Sequence, residues 1–539
     1  MIQLDAFGGL RYKRHAVRWL PIGGRVALEV RALPGTVEPR LLRGLRDVMP
    51  DQMHARQWII DTIRAVYERY GFVPLGTPAL EYLDVLTGSA GAESDKQLFE
   101  VAGPEQEQLG LRFDQTVSLA RVVAQYVDLP RPFRRYQISP VWRCDNPYEK
   151  RGRFREFIQF DIDAVGVESE IADVEMITAM CDAMEALLGA TAVSAANREC
   201  ATAVSAVSGA ASAAGGRRYR VRVSSRRVLN LLMPFAGIAA ERAHDLFRVL
   251  DKLDKLGTEK VRAELTTGYV DESGSRIPGL GFTGDQVDRI DRFLALRGER
   301  RADVLAQARA MLADVPGAAE ELDTLARLAG HLDALGYTDE QVAFDLSVAR
   351  GLAYYTGTVF ETVLLDLPDF GSICSGGRYD DLVMRFLGER VPAVGTSFGV
   401  DRLLVALTEL GRVPPAARRK ATAQVLVTAF DKSLMGEYLA MTYELRRAGI
   451  NAELYLGSEK RVGKQIRYAD QYDIPVAVVC GSDEQTRGVV QLKDMSVGRK
   501  RTAEVADRGQ WRAERPGQFD VPRSELVQAV QKLLAEIAT

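Results

Sequence analysis

Apolar positions change their period several times along the chain. In "RGLRDVMPDQMHARQWIIDTIRAVYERYGF", Ile59, Ile60, Ile63 and Val66 recur at helical spacing. This predicts an amphipathic helix with Asp51 placed to cap it and Gly71 to stop it, so a first ordered domain begins near Arg43. In "FRRYQISPVWRCDNPYEKRGRFREFIQFDIDAVG", residues 133–166, two apolar-aromatic stretches flank a polar centre, which predicts strand, long loop, strand. Side chains alternate faces along a strand, so Phe157, Gln159, Asp161 and Asp163 share one side. "RGLAYYTGTVFE", residues 350–361, also reads as a strand, with Arg350, Leu352 and Tyr354 on one face and Tyr355 on the other. From about 227 to 340 the pattern is helical, as in "AHDLFRVLDKLDKLG". Beyond the Pro-rich, basic stretch around 407–421, short apolar runs alternate with helix-like segments, which predicts an α/β domain with a largely parallel sheet.

Composition narrows the class. A chain of 539 residues implies several domains. With 47% hydrophobic and 27% charged residues it has the make-up of a soluble globular protein, and no apolar run is long enough to span a bilayer. A net charge of -3 gives no global sign of a nucleic-acid partner, which leaves room for a local basic face. Cys144, Cys181, Cys200, Cys374 and Cys480 show no C-x-x-C spacing, and His15, His54, His244 and His331 are dispersed. These spacings argue against a zinc site or disulfide framework and suit a reducing, cytoplasmic compartment. The first forty residues carry seven Lys/Arg against three acids without the serine enrichment of a transit peptide, and residues 190–216 form an Ala/Ser/Gly tract expected to be a flexible loop.

Four stretches besides "RGLAYYTGTVFE" hold candidate chemistry. Gln159, Asp161 and Asp163 point one way on a strand with apolar neighbours, an arrangement that lines a pocket more readily than a core. Arg143 closes the preceding strand, and Arg151, Arg153 and Arg155 precede the returning one. Asp114 and Thr116 stand before a helix-like segment in "LRFDQTVSLARVVAQY", where Thr116 could equally cap the helix. In "GSICSGGRYDDL", Gly376 and Gly377 permit close backbone approach. Arg402 follows a small-residue strand in "AVGTSFGVDRLL", on a helix that starts near Asp401, where it could simply be a helix-surface charge.

From about Arg43 to the carboxyl terminus, the order and spacing of these stretches resemble the histidyl-tRNA synthetases, a family of class II aminoacyl-tRNA synthetases. "TPALE" at 77–81 is similar to the end of the first class motif, with Pro78 at a dimer interface. "FRRYQISPVWRCDNPYEKRGRFREF" resembles the second motif and "AVGTSFGVDRL" the third. "RGLAYYTGTVFE" and "SICSGGRYDDL" resemble the two signatures peculiar to the histidine enzyme. Asp145, Asn146, Ser118 and a longer loop at "PYEKRGRFR" depart from the family pattern.

The resemblance implies an α+β class II synthetase catalytic domain, an antiparallel sheet flanked by helices, with a helical insertion and a following α/β anticodon-binding domain. It divides the chain into an extension (1–40), the catalytic domain in two parts (41–226 and 341–410), the insertion (227–340), a linker (411–421) and the anticodon-binding domain (422–539). It implies ATP as substrate with accompanying Mg2+, L-histidine and histidine tRNA as partners, no metal held by the protein, a homodimer, and no membrane. Carried over by position, Arg350 and Arg143 are catalytic at the α-phosphate, Arg402 meets the distal phosphates and Asp145 joins the ATP site. Asp114, Thr116 and Gln159 hold the substrate α-amino group, while Asp163, Tyr355 and Tyr379 face its ring; Tyr354 is packing. Lys464, Arg467 and Lys493 are candidate phosphate contacts in the carboxyl-terminal domain. The alternative is a paralogue that senses histidine as the regulatory subunit of ATP phosphoribosyltransferase.

Overall fold

The helix expected after Arg43 is α1, Pro50–Arg69, and it shows how the sequence positions everything that follows. Pro50 opens it at the position where a missing N–H costs nothing. Asp51 does not cap it: Met49 occupies the cap without a side-chain bond, and Asp51 lies in the first turn, where a carboxylate complements the helix dipole. Gly71, at φ 79°, ends it as expected. Ile59, Ile60, Ile63, Val66 and Tyr67 form its buried stripe.

The computed structural model describes residues 16–22, 25–31, 37–88, 98–189, 218–271, 274–348, 355–497 and 517–538. The chain divides into two units, Met1–Asp47 and Val48–Thr539. In the first, β1 (Ala16–Ile22) and β2 (Arg25–Arg31) pair antiparallel, with Ala16 opposite Arg31. The Ala/Ser tract at 190–216 lies outside the described residues.

The second unit is built on an eight-stranded sheet. In chain order its amino-terminal half contains β3 (Val73–Pro74), a three-stranded sheet of β4 (Leu80–Tyr82), β5 (Phe99–Ala102) and β6 (Gln108–Leu111), helix α2 (Thr116–Gln125), β7 (Phe133–Trp142), β8 (Glu156–Val165), helix α3 (Ile171–Gly189) and β9 (Tyr219–Ser225). Helices then fill residues 226–334, interrupted by a hairpin of β10 (Gly268–Val270) and β11 (Arg276–Pro278). The large sheet is completed by β12 (Val342–Phe344), β13 (Thr358–Leu364), β14 (Cys374–Arg378) and β15 (Ala393–Gly399), which leads into helix α4 (Val400–Glu409). Its order is β12-β9-β13-β14-β15-β8-β7-β3, antiparallel except at the two edges, where β12 runs parallel to β9 and β3 to β7.

The strand expected over 350–361 starts only at Thr358, because the chain bends at Gly357, against which the Arg378 side chain packs. Tyr355 therefore precedes the strand, and Arg350 and Tyr354 lie outside the described residues.

Strand register separates the two faces of this sheet. Tyr136, Ile162, Thr396, Gly376 and Phe360 form one transverse row, and Ile138, Phe160, Phe398, Cys374 and Thr362 the next. These rows face the main core, where α1 and α3 bury them and Tyr67 meets Phe160 edge-on at 5.2 Å. On the opposite face the rows read Arg135, Asp163, Gly395, Gly377, Val359 and then Gln137, Asp161, Ser397, Ser375, Glu361.

At the carboxyl end, β16 (Val425–Val427), β17 (Ala452–Leu454), β18 (Val476–Val479), β19 (Val489–Asp494) and β20 (Gln518–Pro522) form a five-stranded sheet of order β17-β16-β18-β19-β20. Only the first three are parallel; β19 and β20 add antiparallel, so the expected largely parallel sheet is mixed. Its helices include α5 (Met435–Arg447) and α6 (Val462–Gln471).

Candidate active site

The polar face of the large sheet gathers most of the residues singled out from sequence. Asp163 forms a fully buried ion pair with Arg135 at 2.7 Å, and its other oxygen accepts a hydrogen bond from the Tyr379 hydroxyl. Burial pushes the Asp163 carboxyl above its ordinary value, while Arg135 and Tyr379 pull it back. The carboxylate leans over Gly395, where a Cβ would lie 1.9 Å from Oδ1. Beside it the Tyr355 ring covers Gly377, 2.9 Å from where a Cβ would stand. Two adjacent glycines thus make a floor between Asp163 and Tyr355 that any side chain would fill.

A second group sits further along β8. Gln159 donates from Nε2 to Ser397 Oγ at 2.7 Å and accepts at Oε1 from the Arg143 guanidinium at 3.3 Å. Arg143 also donates to the Phe113 carbonyl at 2.9 Å and lies over the Phe157 ring. Asp114, the next residue, accepts from the Val117 N–H at 3.1 Å at the start of α2, where Gln115 holds the cap position and Thr116 is the first helical residue. Burial raises the Asp114 carboxyl, against the pull of the Val117 and Thr116 N–H groups and Arg143.

Arg402 lies on the flank, one turn into α4, donating to the Phe370 carbonyl and lying over that ring. Gly152, at φ 66°, lets the loop between β7 and β8 approach the Arg402 backbone, where a Cβ would meet it at 2.7 Å. Asp145 is exposed in the same loop, its carbonyl accepting from Arg155 at 3.1 Å.

Several supporting residues escaped the sequence reading. Gln115 is fully buried and ties the start of α2 to both strands, donating to the Ser139 and Gln159 carbonyls at 3.1 Å each. Arg112 holds "TPALE" to β7 through the carbonyls of Thr77 at 2.7 Å and Pro140 at 2.9 Å. Asp401, also buried, accepts from Arg56 of α1 at 2.5 Å and from the Ile158 N–H at 2.7 Å. Arg135 had a usable signal: it shares the alternation of Gln137 in "FRRYQ". Asp401 had none, because a carboxylate at a helix start reads as surface.

Chemically, the face offers acceptors for an ammonium group at Asp114 and Gln159, a carboxylate and two phenols around a small floor, and a guanidinium for an anion. Cys374 is on the other face, where burial pushes its thiol up. Among the described residues no group of three or more His, Cys, Asp or Glu side chains could hold a metal ion.

The profile of the histidyl-tRNA synthetase family matches residues 44–195 and 195–403. The chain belongs to that family. The anticodon binding domain family matches residues 424–533. The histidine–tRNA ligase of Cereibacter sphaeroides is 42% identical over 519 residues, 92% of this chain and 97% of the relative. That of Paracoccus denitrificans is 40% identical over 512 residues, covering 91% and 97%. The crystal structure of histidyl-tRNA synthetase from Nostoc sp. PCC 7120 superposes with a TM-score of 0.70 at 30% identity, covering 92% of this chain and all of that one. The fold is therefore that of a class II synthetase catalytic domain followed by an anticodon-binding domain.

Proposed function

We infer that this synthetase activates L-histidine with ATP and transfers it to histidine tRNA. A carboxylate oxygen of histidine attacks the α-phosphorus, pyrophosphate leaves, and a hydroxyl of the terminal tRNA ribose then displaces AMP from the histidyl carbonyl. Charge accumulates on phosphate oxygens, which preorganised guanidinium groups stabilise without a protein nucleophile. The observation that carries the reading is the single polar face on which Asp114, Gln159, Asp163, Tyr379 and Arg143 converge. Asp114, Thr116 and Gln159 take the α-ammonium group, and Asp163, Tyr355 and Tyr379 surround the imidazole. Arg143 and Arg350 serve the α-phosphate, Arg402 the distal phosphates, and Asp145 borders the ATP site; Mg2+ enters with ATP as part of the substrate.

The domain limits given above belong to this proposal, as does the homodimer, which is supported by exposed Met49, Met53, Val73, Leu80 and Tyr82 around α1 and "TPALE". Sedimentation at micromolar concentration should give a dimer. Residues 422–539 meet the anticodon arm, with exposed Lys464 and Arg467 on α6 and with Lys493 as phosphate contacts, although Lys464 also pairs with Glu459 at 2.6 Å. A cytoplasmic site of action is supported by the unbridged thiols of Cys144, Cys181, Cys374 and Cys480, and no helix among the described residues is long and apolar enough to cross a membrane.

Charging of histidine tRNA by the purified chain, with radiolabelled histidine and ATP, tests the function. A chain ended at the linker should still form adenylate but charge tRNA far less, with a weaker salt dependence of tRNA binding. Histidine binding without charging by the full chain would favour the regulatory alternative, which the family match at 424–533 weighs against.

A further inference from the structure

The amide of Gln159 can present either its oxygen or its nitrogen to the pocket, and its neighbours decide which. Arg143 lies on one side, 3.3 Å from Oε1. On the other side Nε2 meets Ser397 Oγ at 2.7 Å and stands 3.5 Å from Asp161 Oδ1. Ser397 and Asp161 are direct partners across β15 and β8, and the Ser397 hydroxyl favours the ionised form of the Asp161 carboxyl. A guanidinium only donates and an ionised carboxylate only accepts. Turning the amide over would set NH2 against Arg143 and oxygen against Asp161, opposing like groups on both sides.

We propose that Asp161 is a positioning residue for substrate selection: acting through Ser397, its carboxylate holds the Gln159 amide with Oε1 toward Arg143 and Asp114, where it accepts from the substrate α-ammonium group. This rests on the histidine-site reading above and adds to it the device that makes the site require an amino acid rather than a deaminated imidazole acid.

The device depends on pH. Asp161 shares its face with Arg135 of β7, Asp163 of β8, and Asp114 and Arg112 ahead of α2, and its charge is also felt across the sheet by Tyr67 of α1 and Cys374 of β14. Burial raises its carboxyl from 3.8 to about 7, with Arg135 opposing. A protonated Asp161 can donate to Ser397 Oγ, and the acceptor that fixes the amide is lost. Affinity for histidine should therefore fall as pH falls through about 7. Stability moves the other way: between the ordinary 3.8 and about 7 the folded state binds more protons than the unfolded, so this group's contribution is full below that window and lost as pH rises through it.

The test uses the full-length protein, with Asp161→Asn and Ser397→Ala, in histidine-dependent exchange of pyrophosphate into ATP, and with 3-(imidazol-4-yl)propionate as a competitive inhibitor. Loss of a hydrogen bond to a charged group should raise KM for histidine about tenfold in either variant, with KM for ATP within about twofold. The inhibition constant of the propionate, which has no ammonium group, should stay as in the wild type. The ratio of variant to wild-type KM for histidine should shrink as pH falls through about 7, since titration of the substrate itself is common to both proteins. Ser397→Ala keeps the test open if Asp161→Asn fails to fold. An unchanged KM for histidine in a folded variant, or equal weakening of histidine and the propionate, would overturn the proposal. Absence of histidine-dependent exchange in the wild type would overturn the site reading beneath it.

Discussion

One strand carries two opposed surfaces. Along β8, Phe160 and Ile162 enter a dry core, whereas Gln159, Asp161 and Asp163, one residue away each time, enter a buried polar network. The apolar face gains from area removed from water, so a close substitute of similar volume is tolerated. On the polar face, burial penalises every charge, and each group stays ionised only through a particular partner. The comparison teaches that the core face is specified by bulk and the site face by pairing.

The largest effect should come from breaking a pair. Arg135→Met leaves Asp163 buried without its guanidinium and should cost about 3–5 kcal/mol in urea unfolding; adding Asp163→Leu should recover part of that loss, because neither charge then remains uncompensated. Removing Arg143 should act on rate instead: Arg143→Ala, and by resemblance Arg350→Ala, should slow histidine-dependent exchange at least about a hundredfold, or about 2.7 kcal/mol, in variants that circular dichroism finds folded. Gly395→Ala sharpens the contrast, since its Cβ would stand 1.9 Å from Asp163 Oδ1; overpacking should cost about 1–3 kcal/mol and raise KM for histidine together. On the core face, Ile162→Val should remove only about 0.5–1.5 kcal/mol of stability and leave KM for histidine unaltered. A shift in that KM as large as Gly395→Ala produces would mean that the two faces are not independent.

The alternation along β8 was legible in the sequence because a period of two assigns faces before any fold is known. The same argument failed at 350–361, where Gly357 bends the chain and the strand starts at Thr358. Asp114 and Thr116 could be read as a site, or Thr116 as a helix cap; Thr116 is the first helical residue, and Asp114 accepts from the Val117 N–H at that helix start and feels the charge of Arg143. What stayed illegible depends on contacts between distant segments. The Arg56–Asp401–Ile158 bridge spans 345 residues between its two side chains. Ser397 looks like a small strand residue until β15 is laid against β8, and the mixed order of the carboxyl-terminal sheet likewise depends on pairing that apolar runs do not encode.

Exchange of pyrophosphate into ATP by the wild-type chain, run in parallel with each of the common amino acids, bears most directly on the claim that the polar face selects and activates histidine. The account predicts exchange with histidine at rates well above any other amino acid. Equal exchange with several amino acids, or none with histidine, would contradict it.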